Sequence, residues 1–433
     1  MIAWIPIVLY LFNRFPAYKA VIISFITAWL FLPQKAGFTF PGIPDYERMC
    51  ATVYGILFCT FIYDAGRFRQ FQPSWLDLPM LVWCICPLFS SLSNGLGLYD
   101  GVSGTLLQTM SYGGPYFLGR LYLNSLAKIR FLAIAIFVGG LVYVPLCLFE
   151  VLFSPQLHKL VYGYHPHVFG QSVRYGGYRP VVFMQHGLAV GMWMMAATLI
   201  GVWLWKTGVV KSVYGIHIRW LVGILLTTFV LIKSTGAYGL LLVGIGILFL
   251  TRQFRTSIIL VLVIISIGFY LQQSVSAKSN FTEQIITVAS NYGIPEERIQ
   301  SLEFRFENEE LLRDKAREKI IFGWGGWGRN RITEYNERTG QSIDVAPTDS
   351  LWIIAFGRNG IVGLVSLYTS ILIPVLYICL AFPAQTWSSK QIAPTAAMAV
   401  IVTLYMTDCL LNSMPNPVFI LATGGLSGIA TKI

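Results

Sequence analysis

The chain has 433 residues, 55% of them hydrophobic and only 12% charged, with a formal net charge of +11. Soluble domains carry roughly 25% charged residues, so this composition excludes an ordinary soluble globule and implies an all-α polytopic membrane protein. The basic excess is spread over short loops between apolar segments, which reads as an orientation signal and argues against a nucleic-acid partner.

In chain order, apolar spans are predicted near 2–13, 18–33, 48–64, 74–92, 103–119, 129–153, 181–205, 214–232, 235–251, 256–273, 350–381, 394–411 and 415–431. The first is short for a crossing, so 12 or 13 transmembrane helices are expected from these spans. Arg14 and Lys19, Arg67 and Arg69, then Arg120, Lys128 and Arg130 occupy alternate loops, and Lys206, Lys211, Arg219, Arg252 and Arg255 continue the series. By the positive-inside rule those loops face the cytoplasm, and the stretches 154–180 and 274–349 lie outside. The opening MIAWIPIVLY has no basic residues ahead of its apolar run, so no cleavable signal peptide is expected. Cys59, Cys84, Cys86, Cys147, Cys379 and Cys409 sit inside apolar segments without disulfide or metal-ligand spacing, which suits packing.

Three parts follow: an N-terminal membrane bundle over 1–273, a large outside loop over 274–349, and C-terminal membrane helices over 350–433. The loop holds 13 of the 20 acidic residues. Pro295 suits the first position of a helix, and Phe304, Leu311, Leu312, Ala316 and Ile320 recur at helical spacing as far as Gly323, a residue suited to a left-handed cap. On that helix, Glu309 and Arg313 stand at pairing distance.

Three stretches carry candidate chemistry. GWGGWG at 323–328 spells G-x-G-x-x-G, but a charged helix rather than a strand precedes it, and little helical periodicity follows. A dinucleotide turn needs both, so the glycines shape a turn with Trp324 and Trp327 at the membrane surface. In HPHVFGQSVRYGGYRPVVFMQHG, His165 and His167 lack the carboxylate or thiolate neighbours of a metal site. Arg174 and Arg179 in the same stretch have the planar fork that binds phosphate oxygens, and His186 enters the next span, where a ring needs a partner or a wet cavity. On the outside helix, Arg305 precedes Gly323 by 18 residues, five turns, with Arg313 and Arg317 nearby. Acids at mid-span are scarce; Glu150 and Asp408 fall near span ends, which counts against ion-coupled transport.

The stretch SLEFRFENEELLRDKAREKIIFGWGGWG, followed by DSLWIIAFGRNGIVGL, resembles the O-antigen polymerase and ligase superfamily of bacterial inner membranes. Arg305, Gly323, Gly325, Asp349, Ser350, Gly360, Gly363 and Leu364 match its pattern, and YRPVVFMQHG matches its Arg-Pro segment at Arg179. Ligases have His where Asp349 stands, whereas polymerases tolerate Asp. KSTGAYG at 233–239 lacks a second arginine found in relatives, with Lys233 nearby.

The resemblance implies a glycosyltransferase facing the periplasm that needs no cofactor and no metal. It takes a glycan from a polyprenyl pyrophosphate carrier to a glycan or lipid acceptor. Arg179 and Arg305 are expected to bind the pyrophosphate, with Arg174, Arg313 and Arg317 in reserve, and Asp349 or His186 to serve as base. Trp324, Trp327, Tyr335 and Trp352 are candidates to stack on sugars. The competing expectations are a ligase acting on a lipid A core and a flippase for lipid-linked glycans.

Overall fold

A computed structural model describes residues 3–39, 45–174, 176–276, 281–291, 296–336 and 341–432; Pro295 lies outside these. The described chain is overwhelmingly helical. The helices in order are α1 Trp4–Arg14, α2 Ala17–Phe31, α3 Arg48–Tyr63, the short α4 Gly66–Arg69, α5 Leu78–Ser93 and α6 Leu98–Gln108. A π-helical turn over Thr109–Gly113 leads into α7 Gly114–Tyr122. Then come α8 Leu126–Phe153, α9 Leu157–Tyr162, α10 Gly187–Lys206, α11 Ile218–Leu231, α12 Thr235–Phe254 and α13 Ile258–Val275. The chain continues through α14 Phe281–Asn291, α15 Glu296–Arg317, α16 Leu351–Ala381, α17 Ala393–Asp408 and α18 Pro417–Ala430. Among the described residues, strand structure is limited to small antiparallel hairpins, one of which runs Thr333–Asn336 against Gln341–Asp344 and pairs Thr333 with Asp344.

Among the described residues, six helices are long and apolar enough to cross a membrane: Trp75–Ser93, α8, α10, α12, α13 and α16. Another five apolar helices (α2, α3, α11, α17 and α18) are shorter. A helix of about 15 residues is only about 22 Å long, less than the hydrocarbon thickness. Length is not demanded of them equally, because α17 and α18 are buried along almost their whole length. Together with α10 they form the axis of the bundle. The α7–α18 contact is backbone against backbone: a side chain added at Gly424 would lie 2.0 Å from the Tyr116 carbonyl oxygen. Small residues permit this approach in membrane bundles. All seven cysteines are buried and unpaired.

Contacts between loops gather at two ends of the bundle. At one end, Arg120 makes a bidentate pair with Asp77 (2.7 and 2.9 Å) and also bonds Thr431 and the Gln72 carbonyl, tying α5, α7 and α18 together. At the other end, Gln34 reaches the Phe183 carbonyl, Asn94 reaches Gly323, and Arg329 pairs with Asp100. The segments around α15, residues 172–186 and the 409–416 turn share this second end.

The stretch after α15 departs from expectation in detail. The α-helix stops at Arg317 and continues as turns to Phe322, while Gly323 has the expected left-handed φ, +69°. Phe304, Leu311 and Ile320 are exposed; the buried face carries Phe306, Asn308, Glu309, Leu312, Arg313 and Ala316. The packed face is partly polar because it meets the equally polar start of α16. Glu309 does not pair with Arg313, which instead bonds Glu310 (2.7 Å) and Asp314 (3.2 Å).

Gly360 breaks α16, with φ +65° and ψ −165° in mid-helix. A break frees backbone groups, and inside an apolar bundle each must find a partner. Here the strip 320–325 supplies them. Trp324 and Gly325 donate to the carbonyls of Gly357 and Arg358 (2.9 Å each), and Ile361 donates to Ile320 (2.8 Å). The glycines are there for contact: a Cβ on Gly323 would lie 2.5 Å from the Arg358 carbonyl carbon, and one on Gly360 2.2 Å from the Ile321 carbonyl oxygen. Gly360→Ala therefore combines a left-handed φ, worth about 1–2 kcal/mol, with backbone overlap. We expect it to lower the detergent-solubilised melting temperature sharply, whereas Gly246→Ala, at a glycine with open space beside it, leaves the melt unchanged.

Candidate functional site

The site is built on a carboxylate. Glu150, at the end of α8 and 1% exposed, accepts hydrogen bonds from the amides of Leu157 (2.9 Å), Val181 and Val182 (2.7 Å each). Val182 has φ +52°, a left-handed backbone that a β-branched residue adopts only when its surroundings impose it. Glu150 thus pins a strained turn between Arg179 and His186. Arg179 is buried, its amide bonded to the Ser172 carbonyl at 2.7 Å. Its side chain lies against Gly187, where a Cβ would meet Arg179 Cδ at 2.3 Å.

His186 caps α10. Its Nδ1 accepts from the Leu188 amide at 3.1 Å, so the network assigns the proton to Nε2, which donates to Gln171 Oε1 at 3.1 Å. Burial first, then His167, Arg179, Arg174 and Arg305, push its pKa down to about 3. The ring is neutral and both nitrogens are engaged. The His167 ring lies 4.7 Å from it, centroid to centroid.

The structure therefore brings Arg174, Arg179 and Arg305 around His186 from two distant stretches of chain. A third stretch contributes Lys233, in the turn between α11 and α12, whose Nζ donates to the Arg174 carbonyl at 3.4 Å. Gly177 makes room for it. Arg305 donates to the Leu411 carbonyl and approaches Asn412 Oδ1 at 3.5 Å. It also acts electrostatically on two acids, Asp408 and Glu309. Glu309 is 4% exposed and accepts from Ser350 Oγ. Burial lifts its carboxyl to about 7, against the opposing pull of Ser350 and Arg305.

The remaining candidates are placed differently. Arg313 is held by carboxylates of its own helix, and Arg317 is exposed. Asp349 is exposed just ahead of α16, while its neighbour Ser350 is buried on Glu309. Trp324 donates to the Lys315 carbonyl at 2.7 Å and lies beneath Lys315 and Lys319. Trp327 and Tyr335 are exposed, but Trp352 is 1% exposed and so offers no face to a ligand.

Two further cavities adjoin this end. One of about 290 Å³ is lined by Arg48, Gln108, Gln185, Trp327 and Arg358; the other, about 230 Å³, by Asn330, Arg331, Asp344 and Arg358. Sequence reasoning missed Arg358 and Glu309 as site residues. The signal for Arg358 was plain enough, an arginine within a span; Glu309 had none, as one acid among many on a charged helix. Among the described residues, no group of three or more His, Cys, Asp or Glu side chains converges to hold a metal ion.

No protein-family model matches the chain, and no characterised protein matches it in sequence.

Removing the carboxylate at 150 orphans the half-buried amide of Leu157 and the two buried amides of Val181 and Val182, each buried one costing about 1–3 kcal/mol. Glu150→Ala should therefore loosen residues 179–186, read as faster amide exchange at Val181 and Val182. Glu309 gives a second expectation. Its folded pKa is raised above the unfolded value, so the folded state holds a proton that the unfolded state releases. Stability then falls as pH rises from about 4.5 to about 7 and levels off above. Glu309→Gln should flatten the melting temperature across that window.

Proposed function

We propose that the protein is a glycosyltransferase of the bacterial inner membrane. It moves a glycan from a polyprenyl pyrophosphate carrier to an acceptor hydroxyl on the periplasmic face, in the manner of O-antigen polymerases. The observation that carries this is the convergence of Arg174, Arg179 and Arg305 around a neutral histidine at one end of an apolar bundle, with Lys233 on the Arg174 carbonyl. A topology of 12 or 13 spans belongs to the same proposal, with this end outside, because the opposite end bears the alternating Arg and Lys loops.

Cleavage of the sugar–phosphate bond builds negative charge on the departing pyrophosphate. Fixed guanidinium groups at a low-dielectric boundary stabilise that charge more in the transition state than in the ground state. The strained turn held by Glu150 fixes Arg179, and the backbone of the 409–412 turn fixes Arg305. The acceptor hydroxyl loses its proton to a carboxylate. His186 suits that role less, since one nitrogen caps α10 and the other carries a proton. Asp349, exposed at the start of α16, and the acids facing Arg305 are the groups open to it.

A lipid-linked glycan flippase is the second reading, and the broken α16 is the observation in its favour, since transporters use discontinuous helices. Against it, the backbone groups freed by this break are bonded by 320–325 and are not offered to a substrate.

Arg305→Ala and Arg179→Ala should each slow transfer by roughly a hundredfold, about 3 kcal/mol. The measurement is glycan lengthening by purified protein supplied with polyprenyl-pyrophosphate oligosaccharide. Full activity in both variants, or no glycan transfer by the wild type, would sink the proposal. Transfer to a lipid A core instead of a second lipid-linked glycan would make the enzyme a ligase.

A further inference from the structure

Arg358 is the side chain the donor chemistry leaves unused. It lines both cavities, and its backbone is the most firmly held part of the broken helix. Its carbonyl accepts from Gly325 N–H and from Ser90 Oγ, both at 2.9 Å. Its guanidinium is exposed to the cavities and, among the described residues, has neither an ion pair nor a hydrogen bond. An arginine on an apolar helix without a counter-charge is a binding group by default.

The acids beside it are already neutralised. Asp100 is paired with Arg329 at 2.9 Å and Asp344 with Arg331 at 3.0 Å. Arg48, in the wall of the larger cavity, rests over Trp29 and donates to its carbonyl, with no carboxylate in contact. Two positive charges therefore face one cavity; Glu47 offsets Arg48 from a distance, while Arg358 has no ion-pair partner among the described residues. The rest of its wall mixes aliphatic side chains such as Leu107 and Ile354 with the amides of Gln108, Gln185 and Asn359 and the rings of Trp83, Tyr112 and Trp327, of which Trp327 is the exposed one. Amides that bond hydroxyls beside rings that cover apolar faces suit a sugar, and paired cations suit an oxyanion on it. Gln185 and Ser413 connect the cavity to the donor cluster, being the chain neighbours of His186 and of Asn412, which meets Arg305.

We propose that the cavities flanking Arg358 form the acceptor subsite and that they take an acidic glycan, with Arg358 binding a sugar carboxylate. This rests on the glycosyltransferase reading only for the word acceptor; the carboxylate specificity stands without it.

The experiment titrates the full-length protein in detergent with trigalacturonate and triglucuronate, their carboxyl-reduced counterparts, and inorganic pyrophosphate, followed by calorimetry and tryptophan fluorescence. Wild type should bind at least one uronate trimer tenfold or more tighter than its reduced form. Arg358→Met should abolish that preference while keeping pyrophosphate binding, which also reports that it is folded. Arg358→Lys should keep part of the preference, and Arg305→Ala should lose pyrophosphate but not uronate. Equal binding of acidic and reduced trimers, an unchanged preference in Arg358→Met, or loss of pyrophosphate binding in Arg358→Met with retention in Arg305→Ala would each overturn the proposal. Uronate preference without any glycan transfer would refute the enzymatic reading and leave this site in place.

Discussion

A helix broken inside an apolar bundle cannot leave its freed amides and carbonyls without partners, and much of this molecule follows from how that demand is met. The break at Gly360 is bonded on both sides by the strip 320–325. That strip must lie flat against the backbone of α16, which only glycine allows at Gly323 and Gly360. The contact docks the end of α15 against the membrane helices. It therefore fixes Arg305 on α15 and Arg358 on α16 within one frame.

Around this frame, charge is placed rather than cancelled. At the opposite end Arg120 and Asp77 form a buried bidentate pair that joins three helices. At the α15 end the balance differs: Arg174, Arg179 and Arg305 crowd a neutral His186, and Arg358 has no ion-pair partner among the described residues. Concentrating like charge at a low-dielectric boundary costs stability unless an anion joins it. The structure bears that cost through Glu150, whose three backbone bonds hold the strained Val182 turn in place. In the proposed reaction, rigid cations with fixed backbones would stabilise a departing pyrophosphate without reorganising as the charge develops.

Residue type marked Arg174, Arg179 and His186 as candidates and the family resemblance added Arg305, while periodicity and charge alternation were enough to read the helical, membrane-compatible class. They misread the face of α15, because Phe304, Leu311 and Ile320 look like a packing stripe while the partner surface accepts Asn308, Glu309 and Arg313. The family resemblance offered Arg313 as a reserve ligand and Trp352 as a candidate to stack on sugars, whereas the first is paired locally and the second is buried. Each miss concerns what a side chain faces, and helical spacing says which residues share a face without saying what lies opposite.

By itself, then, the sequence determined the helical, membrane-compatible class, the turn at Gly323 and the inventory of cations. Those properties are local: apolar run length, glycine's tolerance of left-handed backbone, and the fixed charge of arginine. Tertiary structure alone decided that GWGGWG closes a broken helix, that His186 is neutral, that Glu309 is lifted to about 7, and that Arg358 faces cavities with no counter-charge. Burial, hydrogen-bond partners and electrostatic neighbours are supplied by other segments, from Gln171 beside His186 to Ser350 on Glu309 and the distant Arg305, and no local pattern encodes them.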